Sequence, residues 1–492
     1  MSQRFLKRPT VALYALAAAA PALLYLGTAA FHGTWGFPLD DAWIHQTFAR
    51  NLAQHGQWAF VPGQPSAGST SPLWTLLLVP AHLGGLPFRE WTYVLGWALL
   101  LASGWLSAQL YRAIDPRRSG MALWVGLFIV LEWHLTWAAL SGMETTLFIA
   151  LGLGCLKAHL GRAKPAWVGA LAGLATLTRP EGALLFGLLL LDRWRGADRW
   201  RGGSYLILGF LLFYLPYLLF HLELTGRPFP NTFYAKHAEY VSAFAPLAWR
   251  LLEVPGVTLV GPQVLLLPGF VWAWILASRR REHPTLLLGA CWLALLAVYI
   301  AYLPLGYQHG RYMIPSIPFY TLLGLRGSFE LLDRLRREWR RRIGLLGGLS
   351  LALLLLAFGV LGAGAYARDV AFIEGELVRA ARWIAQQTPP GALIGAHDIG
   401  ALGFFAQRPL VDSAGLITPE VIPFIRDEER LLNYFQAREV EYLTFFPCWY
   451  PRLAQSPRLR LIYGSPLPQD CRPENDHLAI YRPTWAERVA RN

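Results

Sequence analysis

The sequence predicts a polytopic α-helical membrane protein with about 11 transmembrane helices and a small α/β domain at its C-terminal end. Of its 492 residues, 54% are hydrophobic and only 15% are charged, whereas soluble domains carry about 25% charged residues. Apolar runs of about 20 residues, the length that crosses a bilayer, recur along the chain until about residue 365. This composition excludes a disordered chain and an entirely soluble one.

Eleven apolar segments have the composition of membrane-spanning helices. The first is longer than the apolar core of a signal peptide, so we expect a retained helix. Two segments that meet at residues 178–181 are short, which predicts interrupted helices inside a cavity. The apolar stretch 72–83 is also short, and we expect it to lie at the outer interface. The predicted spans are 10–31, 91–111, 120–138, 143–160, 166–178, 180–192, 203–222, 256–278, 285–303, 312–326 and 343–365.

Basic residues are distributed unequally between alternate loops, and cytoplasmic loops are the ones enriched in Lys and Arg. With the N-terminus inside, the predicted cytoplasmic segments carry 23 basic and seven acidic residues, more than the whole net charge of +13. The charge therefore reflects topology and faces anionic lipid head groups, so we expect no nucleic-acid partner. These segments are 1–8, 112–119, 157–165, 192–203, 278–284 and 326–342.

An odd number of spans places the C-terminal part of the chain outside the cytoplasm. We therefore predict a transmembrane catalytic domain over 1–365, with a first outer loop and interfacial helices over 32–90, and an extracytoplasmic α/β domain over 366–492. A disulfide between Cys448 and Cys471 is compatible with that location, and the sequence leaves it open. In the outer domain we predict a helix at 369–386 and short strands in ALIGAHDIG, EYLTFFP, LRLIYG and HLAIY.

Ionisable and aromatic residues from several segments converge on the predicted outer side. Such residues at membrane depth are costly and usually functional, so this is the arrangement expected of an extracytoplasmic active site above a helical bundle. The converging residues are Asp40, Asp41, Glu144, Arg179, Glu181, Lys236, His309, Arg311 and Tyr312.

The adjacent acids Asp40 and Asp41 follow the first span. One of them caps the following helix in the structural interpretation. In the functional interpretation, one is a general base that takes a proton from an acceptor hydroxyl, and the second orients a sugar or a cation. Residues of the same segment are predicted to line this site, although each alone also fits interfacial packing; they are Trp43, His45, Arg50 and Trp74.

Arg179 and Glu181 flank Pro180 at the interrupted helix. They form either an ion pair that holds the break or a phosphate site, in which Arg contacts the oxygens and a half-helix N-terminus adds a favourable dipole. Lys236 supports the phosphate interpretation, because it is the one lysine of four that is not predicted to be cytoplasmic.

His309, Arg311 and Tyr312 precede a helix and fit either an interfacial belt or a clamp on the same anion. Glu144 fits a cation ligand, an acceptor for a sugar hydroxyl or a charge at a helix N-terminus, and the sequence does not rank these roles. For Asp398 and Asp412 of the outer domain, we expect turn and cap roles.

Several motifs in their order resemble the GT-C glycosyltransferases, closest to the bacterial arabinofuranosyltransferase-like branch. Protein O-mannosyltransferases and lipid A aminoarabinose transferases are more distant members of the group. The resemblance covers residues 36 to about 420, and Trp43 and His45 depart from the usual pattern of the first motif. The motifs are DDAWIHQTFARNLAQHGQWAFVPGQPSAGSTSPLWTLLL, SGMETTLF, LTRPEGALLF, PNTFYAK, HGRYMIP and HDIGALGFFAQRPLVDSAGL.

The resemblance implies a GT-C fold and transfer of a sugar, with inversion, from a polyprenyl-phosphate donor to a cell-envelope glycan or glycolipid. The location it implies is the outer face of the bacterial plasma membrane. Asp41, or else Asp40, would be the base, and some relatives use a divalent cation (Mg, Mn or Ca) that Asp40 with Glu144 or Glu181 would hold. The residues expected to hold the donor phosphate are Arg179, Lys236, His309 and Arg311.

Two other classes of protein explain part of the pattern. A transporter or channel would also place Arg and Lys at broken helices, but an inverted repeat should then be visible and we find none. A non-catalytic assembly or sugar-binding scaffold would retain function without Asp40 and Asp41. No Gly-x-Ser-x-Gly, Walker, HExxH or dinucleotide motif is present, so hydrolase, nucleotide-driven pump and redox functions have no support.

Overall fold

The computed structural model describes residues 8–196, 198–241, 244–304, 306–472 and 475–489. Arg4 and Lys7, which form part of the basic segment before the first predicted span, lie outside the described residues. Most of the described chain is helical.

The helices are α1 Arg8–Phe31, α2 Asp41–His55, α3 Pro72–Leu83, α4 Phe88–Ile114, α5 Ala122–Leu131, α6 Trp133–Leu140, α7 Thr145–Leu160, α8 Pro165–Thr176, α9 Gly182–Trp194, α10 Arg199–Thr225, α11 Asn231–Tyr240, α12 Leu247–Val257, α13 Leu267–Arg280, α14 His283–Tyr302, α15 Tyr307–Gly310, α16 Ile317–Asp333, α17 Arg337–Phe372, α18 Arg379–Gln387, α19 Glu428–Ala437, α20 Pro451–Ala454 and α21 Thr484–Val489. The strands are β1 Ala59–Val61, β2 Gln64–Pro65, β3 Ile394–Ala396, β4 Leu410–Asp412, β5 Tyr442–Phe445, β6 Leu459–Tyr463 and β7 Ala479–Pro483.

The chain forms two compact units. The first contains the described residues of Met1–His32, Thr92–Leu219 and Ala245–Ala367, and the second those of Gly33–Trp91, Phe220–Phe244 and Arg368–Asn492. The second unit therefore joins two internal segments to the C-terminal part of the chain. The predicted division into 1–365 and 366–492 follows sequence order and remains a prediction.

The described chain contains five helices that are long and apolar enough to cross a membrane, or seven if each of two bent pairs forms one span. The sequence predicts eleven. The bent pairs fall where single spans are predicted at 120–138 and 256–278, and they bend by 54° and 101°. In the first pair Glu132 ends α5, and its carboxylate accepts a hydrogen bond from the Leu135 N–H at the start of α6.

The remaining predicted spans correspond to shorter helices. α7, α8, α9 and α16 contain 16, 12, 13 and 17 residues. A helix rises about 1.5 Å per residue, so 12 residues cover about 18 Å of a hydrocarbon core about 30 Å thick. Helices of 12 or 13 residues do not satisfy the requirement for a full span, and the count of eleven remains a prediction.

The second unit contains a five-stranded mixed sheet in the order β4-β3-β5-β7-β6. β3 is parallel to β4 and β5, whereas β7 is antiparallel to β5 and β6. Each of the four segments predicted to form strands contributes one, and β4 was not predicted. Its three residues, Leu410–Asp412, are all buried and are too few to show an alternating pattern.

Buried side chains from this sheet and from α19 form the core of the second unit, which includes Val411, Leu431, Phe435, Leu443 and Tyr481. Cys448 and Cys471 form a disulfide, so the pairing that the sequence left open is present. Cys155 and Cys291 are buried and free.

Candidate active site

Asp40 joins the first outer segment to the loop after β3. Its carboxylate oxygens accept hydrogen bonds from the backbone N–H groups of Gly400 at 2.7 Å and Ala401 at 2.8 Å. It immediately precedes α2, but its side chain makes no capping hydrogen bond to that helix. The capping alternative is therefore wrong for Asp40. A glycine is needed at 400, because a β-carbon there would overlap the Asp40 backbone carbonyl.

Asp41 is the first residue of α2 and lies beside Lys236 of α11. The Lys236 Nζ is 3.5 Å from Asp41 Oδ2, and the two side chains are 18% and 30% exposed. A negative charge in the first turn of a helix is favoured by the helix dipole. Asp41 thus has a cationic neighbour and a carboxylate that solvent reaches.

Glu239, His397 and Asp398 form a connected series of contacts in the same unit, and the sequence analysis assigned no role to Glu239 or His397. His397 Nε2 is 2.7 Å from Glu239 Oε1, and His397 Nδ1 is 3.2 Å from Asp398 Oδ2. The imidazole ring also packs against Trp449 and Tyr450, with ring centroids 5.9 and 5.6 Å away. The spacing of residues in the sequence did not reveal these contacts, because Glu239 and His397 are 158 residues apart.

The electrostatics of this unit follow from these contacts. Burial and the charges of Asp398 and Asp41 raise the pKa of Asp40 to about 8, although the Ala401 and Gly400 N–H groups lower it. Burial also tends to raise the pKa of Glu239, but His397 outweighs it, so the net shift is downward. For His397, Tyr450, Asp398 and Glu239 outweigh burial and raise the pKa well above 6.5.

Three predicted site-lining residues of the first outer segment have contacts inside the second unit. Arg50 Nη1 and Nη2 donate to the carbonyls of Phe404 at 2.6 Å and Gly403 at 3.0 Å. His45 Nδ1 is 3.3 Å from the Thr75 hydroxyl, and His45 is only 2% exposed. Trp74 is 1% exposed. These contacts support structural roles, and a role in lining the site remains a prediction.

Asp412 forms the turn that follows β4. It is fully buried, and its carboxylate accepts hydrogen bonds from the N–H groups of Ala414, Leu416 and Ile417. The expected turn role of Asp412 is therefore confirmed. Asp398 contacts the His397 ring, and the turn or cap role expected for it remains a prediction.

In the first unit, Arg179 lies between two carboxylates. Its Nη1 is 3.2 Å from Glu144 Oε1, its Nη2 is 3.1 Å from Glu181 Oε1, and Nη2 donates to the Tyr299 hydroxyl at 2.8 Å. The guanidinium also stacks on the Tyr312 ring at 5.8 Å. The ion pair predicted at the helix break is present, and Glu144, for which the sequence ranked no role, is a second partner.

Arg311 and Tyr312 are buried in the same unit, where Arg311 Nη2 donates to the Tyr312 hydroxyl at 3.0 Å. His309 packs edge-on against Trp133 and Trp137, with ring centroids 5.7 and 5.2 Å away. His309 has a φ of 57° and the preceding Gln308 a φ of 52°. Two successive non-glycine residues in this region are costly and occur where surrounding structure enforces them.

An apolar cavity of the first unit adjoins this cluster. Hydrophobic side chains line almost all of it, and Glu181 is its one charged lining residue. The lining includes Phe148, Leu184, Leu295 and Phe319.

The residues of the described ranges contain no group of three or more His, Cys, Asp and Glu side chains arranged to hold a metal ion. The cation site expected from the sequence remains a prediction. Both oxygens of Asp40 bind backbone N–H groups, and one oxygen each of Glu144 and Glu181 binds Arg179.

The fold is that of the GT-C glycosyltransferases. ArnT from Cupriavidus metallidurans, in a crystal structure bound to undecaprenyl phosphate, matches with a TM-score of 0.59 at 15% identity, over 97% of this chain and 98% of ArnT. The archaeal oligosaccharyltransferase AglB from Archaeoglobus fulgidus, in complex with an inhibitory peptide and a dolichol-phosphate, matches with a TM-score of 0.62 at 13% identity, over 91% of this chain and 70% of AglB. Another structure of the Archaeoglobus enzyme contains zinc and sulfate.

In sequence, the chain is similar to the terminal beta-(1->2)-arabinofuranosyltransferase of Mycobacterium tuberculosis, with 31% identity over 221 residues. The match covers 40% of this chain and 35% of the mycobacterial enzyme, so the chain spans about a third of the length of this curated relative. Residues 368–485 match a family described as Domain of unknown function (DUF8728). The resemblance that the motifs indicated, to the arabinofuranosyltransferase-like branch of the GT-C superfamily, is confirmed.

Proposed function

We infer that this protein is an inverting glycosyltransferase that moves an arabinofuranose-like sugar or a hexose from a polyprenyl-phosphate donor to a cell-envelope glycan or glycolipid. The observation that carries this proposal is the pairing of Asp41 with Lys236 in the second unit. Asp40 is held by two backbone N–H groups, which leaves Asp41 as the better candidate for the base. The similarity to a mycobacterial arabinofuranosyltransferase supports the class of reaction.

In the proposed reaction, Asp41 removes the proton from an acceptor hydroxyl. The resulting oxygen nucleophile attacks the anomeric carbon of the donor sugar, and the bond from that carbon to the phosphate oxygen breaks on the opposite face. Negative charge develops on the leaving polyprenyl phosphate and needs a cationic partner. Lys236 is a point charge next to the proposed base, so we assign it to the phosphate.

The first unit supplies further candidates for binding the donor. Arg311, with Tyr312 beside it, and His309 are the residues of this unit that the sequence analysis predicts to bind phosphate. Arg179 already has two carboxylate partners, so its binding of phosphate would replace at least one ion pair. The apolar cavity next to Glu181 is suited to part of a prenyl chain. The undecaprenyl phosphate of ArnT and the dolichol-phosphate of AglB support a polyprenyl-phosphate donor.

We further propose that the active site faces the outside of a bacterial plasma membrane, with eleven spans and the N-terminus inside. The unequal distribution of Lys and Arg in the sequence supports this orientation. No step of the proposed reaction is assigned to a cation, and a role for one remains a prediction. The zinc in the Archaeoglobus enzyme makes a comparison of turnover with and without EDTA a useful control.

The test is transfer of radiolabelled sugar by the purified protein in lipid, from synthetic polyprenyl-phosphate carriers of arabinose, mannose, glucose and aminoarabinose. Turnover should fall by about 10² to 10⁴ in Asp41→Asn, the usual contribution of a general base, while binding of the donor lipid is retained. Asp40→Asn is the matched control, because it changes the neighbouring carboxylate that is held by the backbone.

The outcomes separate the alternatives. A greater loss in Asp40→Asn than in Asp41→Asn would reverse the assignment of the base. Transfer to a protein or to lipid A would assign one of the other GT-C reactions. If the wild type neither binds nor consumes any of the four donors, the proposal fails, and anion transport into vesicles becomes the next measurement.

A further inference from the structure

Two structural elements hold the acidic pair of the second unit. α11 contributes Lys236, which pairs with Asp41, and the turn after β3 contributes the N–H groups of Gly400 and Ala401, which bind Asp40. The position of both carboxylates therefore depends on how this turn is fixed to α11.

His397 connects these two elements. It lies at the start of the turn, and its Nε2 is 2.7 Å from the carboxylate of Glu239 on α11. Glu239 follows Lys236 by three residues, so the two side chains lie on the same side of the helix. Glu239 is 5% exposed, and its backbone carbonyl accepts a hydrogen bond from Arg426 Nε at 3.1 Å. Glu239, the partner of His397 Nε2, is therefore itself held in place.

The hydrogen bonds of His397 define its charge. Its Nδ1 is 3.2 Å from Asp398 Oδ2, so each ring nitrogen faces a carboxylate. Ionised carboxylates only accept hydrogen bonds, and a neutral imidazole has a single N–H. Both contacts are satisfied when the ring carries two protons and is an imidazolium. The upward shift in the pKa of His397 is consistent with this geometry.

We propose that His397, as an imidazolium held between Glu239 and Asp398, is a positioning residue that fixes the 397–401 turn to α11 and thereby sets the positions of Asp40, Asp41 and Lys236. This proposal rests on the proposed function, because it gives the cluster a role in sugar transfer. The charge of His397 also offsets that of Asp398, which acts on Asp40.

The charged and titratable groups around the cluster determine the expected dependence on pH. Removal of the imidazolium leaves the Asp398 charge, which raises the pKa of Asp40, without its partner. The acid limb of kcat/KM should therefore move to higher pH in His397→Gln. Removal of the Asp398 charge should move it to lower pH in Asp398→Asn. The groups that face His397 are Glu239, Asp398, Tyr450 and Asp412, and Arg426 acts on Glu239. Those that face Asp40 are Asp41 and Asp398, with Lys236 next to Asp41.

The test measures transfer kinetics of the full-length protein in lipid. In His397→Gln we expect kcat to fall about tenfold to a hundredfold, the usual effect of misplacing a reacting group by about 1 Å, with the KM for the donor changed less than about twofold. Glu239→Gln should lower kcat in the same way, and His397→Arg, which keeps a cation with several donors, should retain more activity than His397→Gln. His477→Gln is the matched control, because His477 is 49% exposed and pairs with Glu376.

A second readout does not depend on activity. With ¹³C-labelled histidine, the signal that disappears in His397→Gln identifies His397 among the 12 histidines. We expect this signal to titrate well above pH 6.5 in the wild type and at a lower pH in Glu239→Gln. Titration of this signal near pH 6.5 would overturn the proposal, as would unchanged kcat or an unshifted acid limb in His397→Gln. If the wild type transfers no sugar while His397 stays protonated, the proposed function fails and the positioning contact stands.

Discussion

Arg179 in the first unit and Lys236 in the second are both basic residues next to carboxylates, but their surroundings differ. Arg179 is paired with Glu144 and Glu181 and is 10% exposed. Lys236 lies 3.5 Å from Asp41, and these two side chains are 18% and 30% exposed. The charge of Arg179 is balanced inside the packed unit, whereas the Lys236 pair is accessible to a ligand.

The difference shows why residue type alone does not define a site. A buried ion pair holds structure because loss of one partner leaves an uncompensated charge, and its net contribution to stability is small when both are present. A partly exposed pair contributes less to stability, and a ligand can reach it. We therefore expect changes at Arg179 to act mainly on folding and changes at Lys236 mainly on the donor.

Arg179→Met should have the largest effect on stability, a loss of about 3–5 kcal/mol in the free energy of unfolding, because Glu144 and Glu181 lose their buried partner. Thermal unfolding in detergent measures it. Arg340→Ala is the control, since the pair of Arg340 with Asp333 is about half exposed. Adding Glu144→Gln and Glu181→Gln to Arg179→Met should restore most of the stability; no recovery in this triple variant would contradict the balanced ion pair.

Lys236→Met should raise the KM for the donor about tenfold to a hundredfold, the range for one lost charge-assisted contact, with the unfolding temperature nearly unchanged. Lys236→Arg should retain most of the affinity. The measurement is donor titration at fixed acceptor. A decrease in stability in Lys236→Met as large as that in Arg179→Met would show that Lys236, like Arg179, acts mainly on folding.

Sequence patterns predict contacts between neighbours much better than contacts between distant segments. Apolar length predicted most helices, and the Arg179–Glu181 pair lies within two residues. The partners of Asp40 are backbone N–H groups 360 and 361 residues away, and a backbone donor leaves no signal in side-chain identity. The bends in the predicted spans 120–138 and 256–278 were missed because each lies within a mostly apolar run, where composition resembles that of a continuous span.

Gly400→Ala tests the contact that distinguishes Asp40 from Asp41, the hydrogen bond from the Gly400 N–H to the Asp40 carboxylate. A β-carbon at 400 would overlap the Asp40 carbonyl, so we expect a loss of about 1–3 kcal/mol in stability from the forced shift of backbone and a lower kcat. Gly375→Ala is the control, because it has open space around the added carbon. Equal unfolding temperatures for the two variants would show that the turn adjusts without moving Asp40.

Asp40 is also expected to make stability depend on pH. Its pKa is about 8 in the folded protein and about 3.9 in an unfolded chain, so the folded state binds the extra proton between these values. Stability from this group is therefore lost as pH rises toward 8, by at most about 1.4 kcal/mol per pH unit. Thermal unfolding from pH 5 to 8 should show a flatter profile for Asp40→Asn than for the wild type. Asp427→Asn is the matched control and should leave the slope unchanged. The Asp427 carboxylate caps α19 by accepting the Arg430 N–H. Identical slopes for Asp40→Asn and the wild type would mean that Asp40 is ionised throughout this range, and that its two N–H donors outweigh the charges of Asp398 and Asp41.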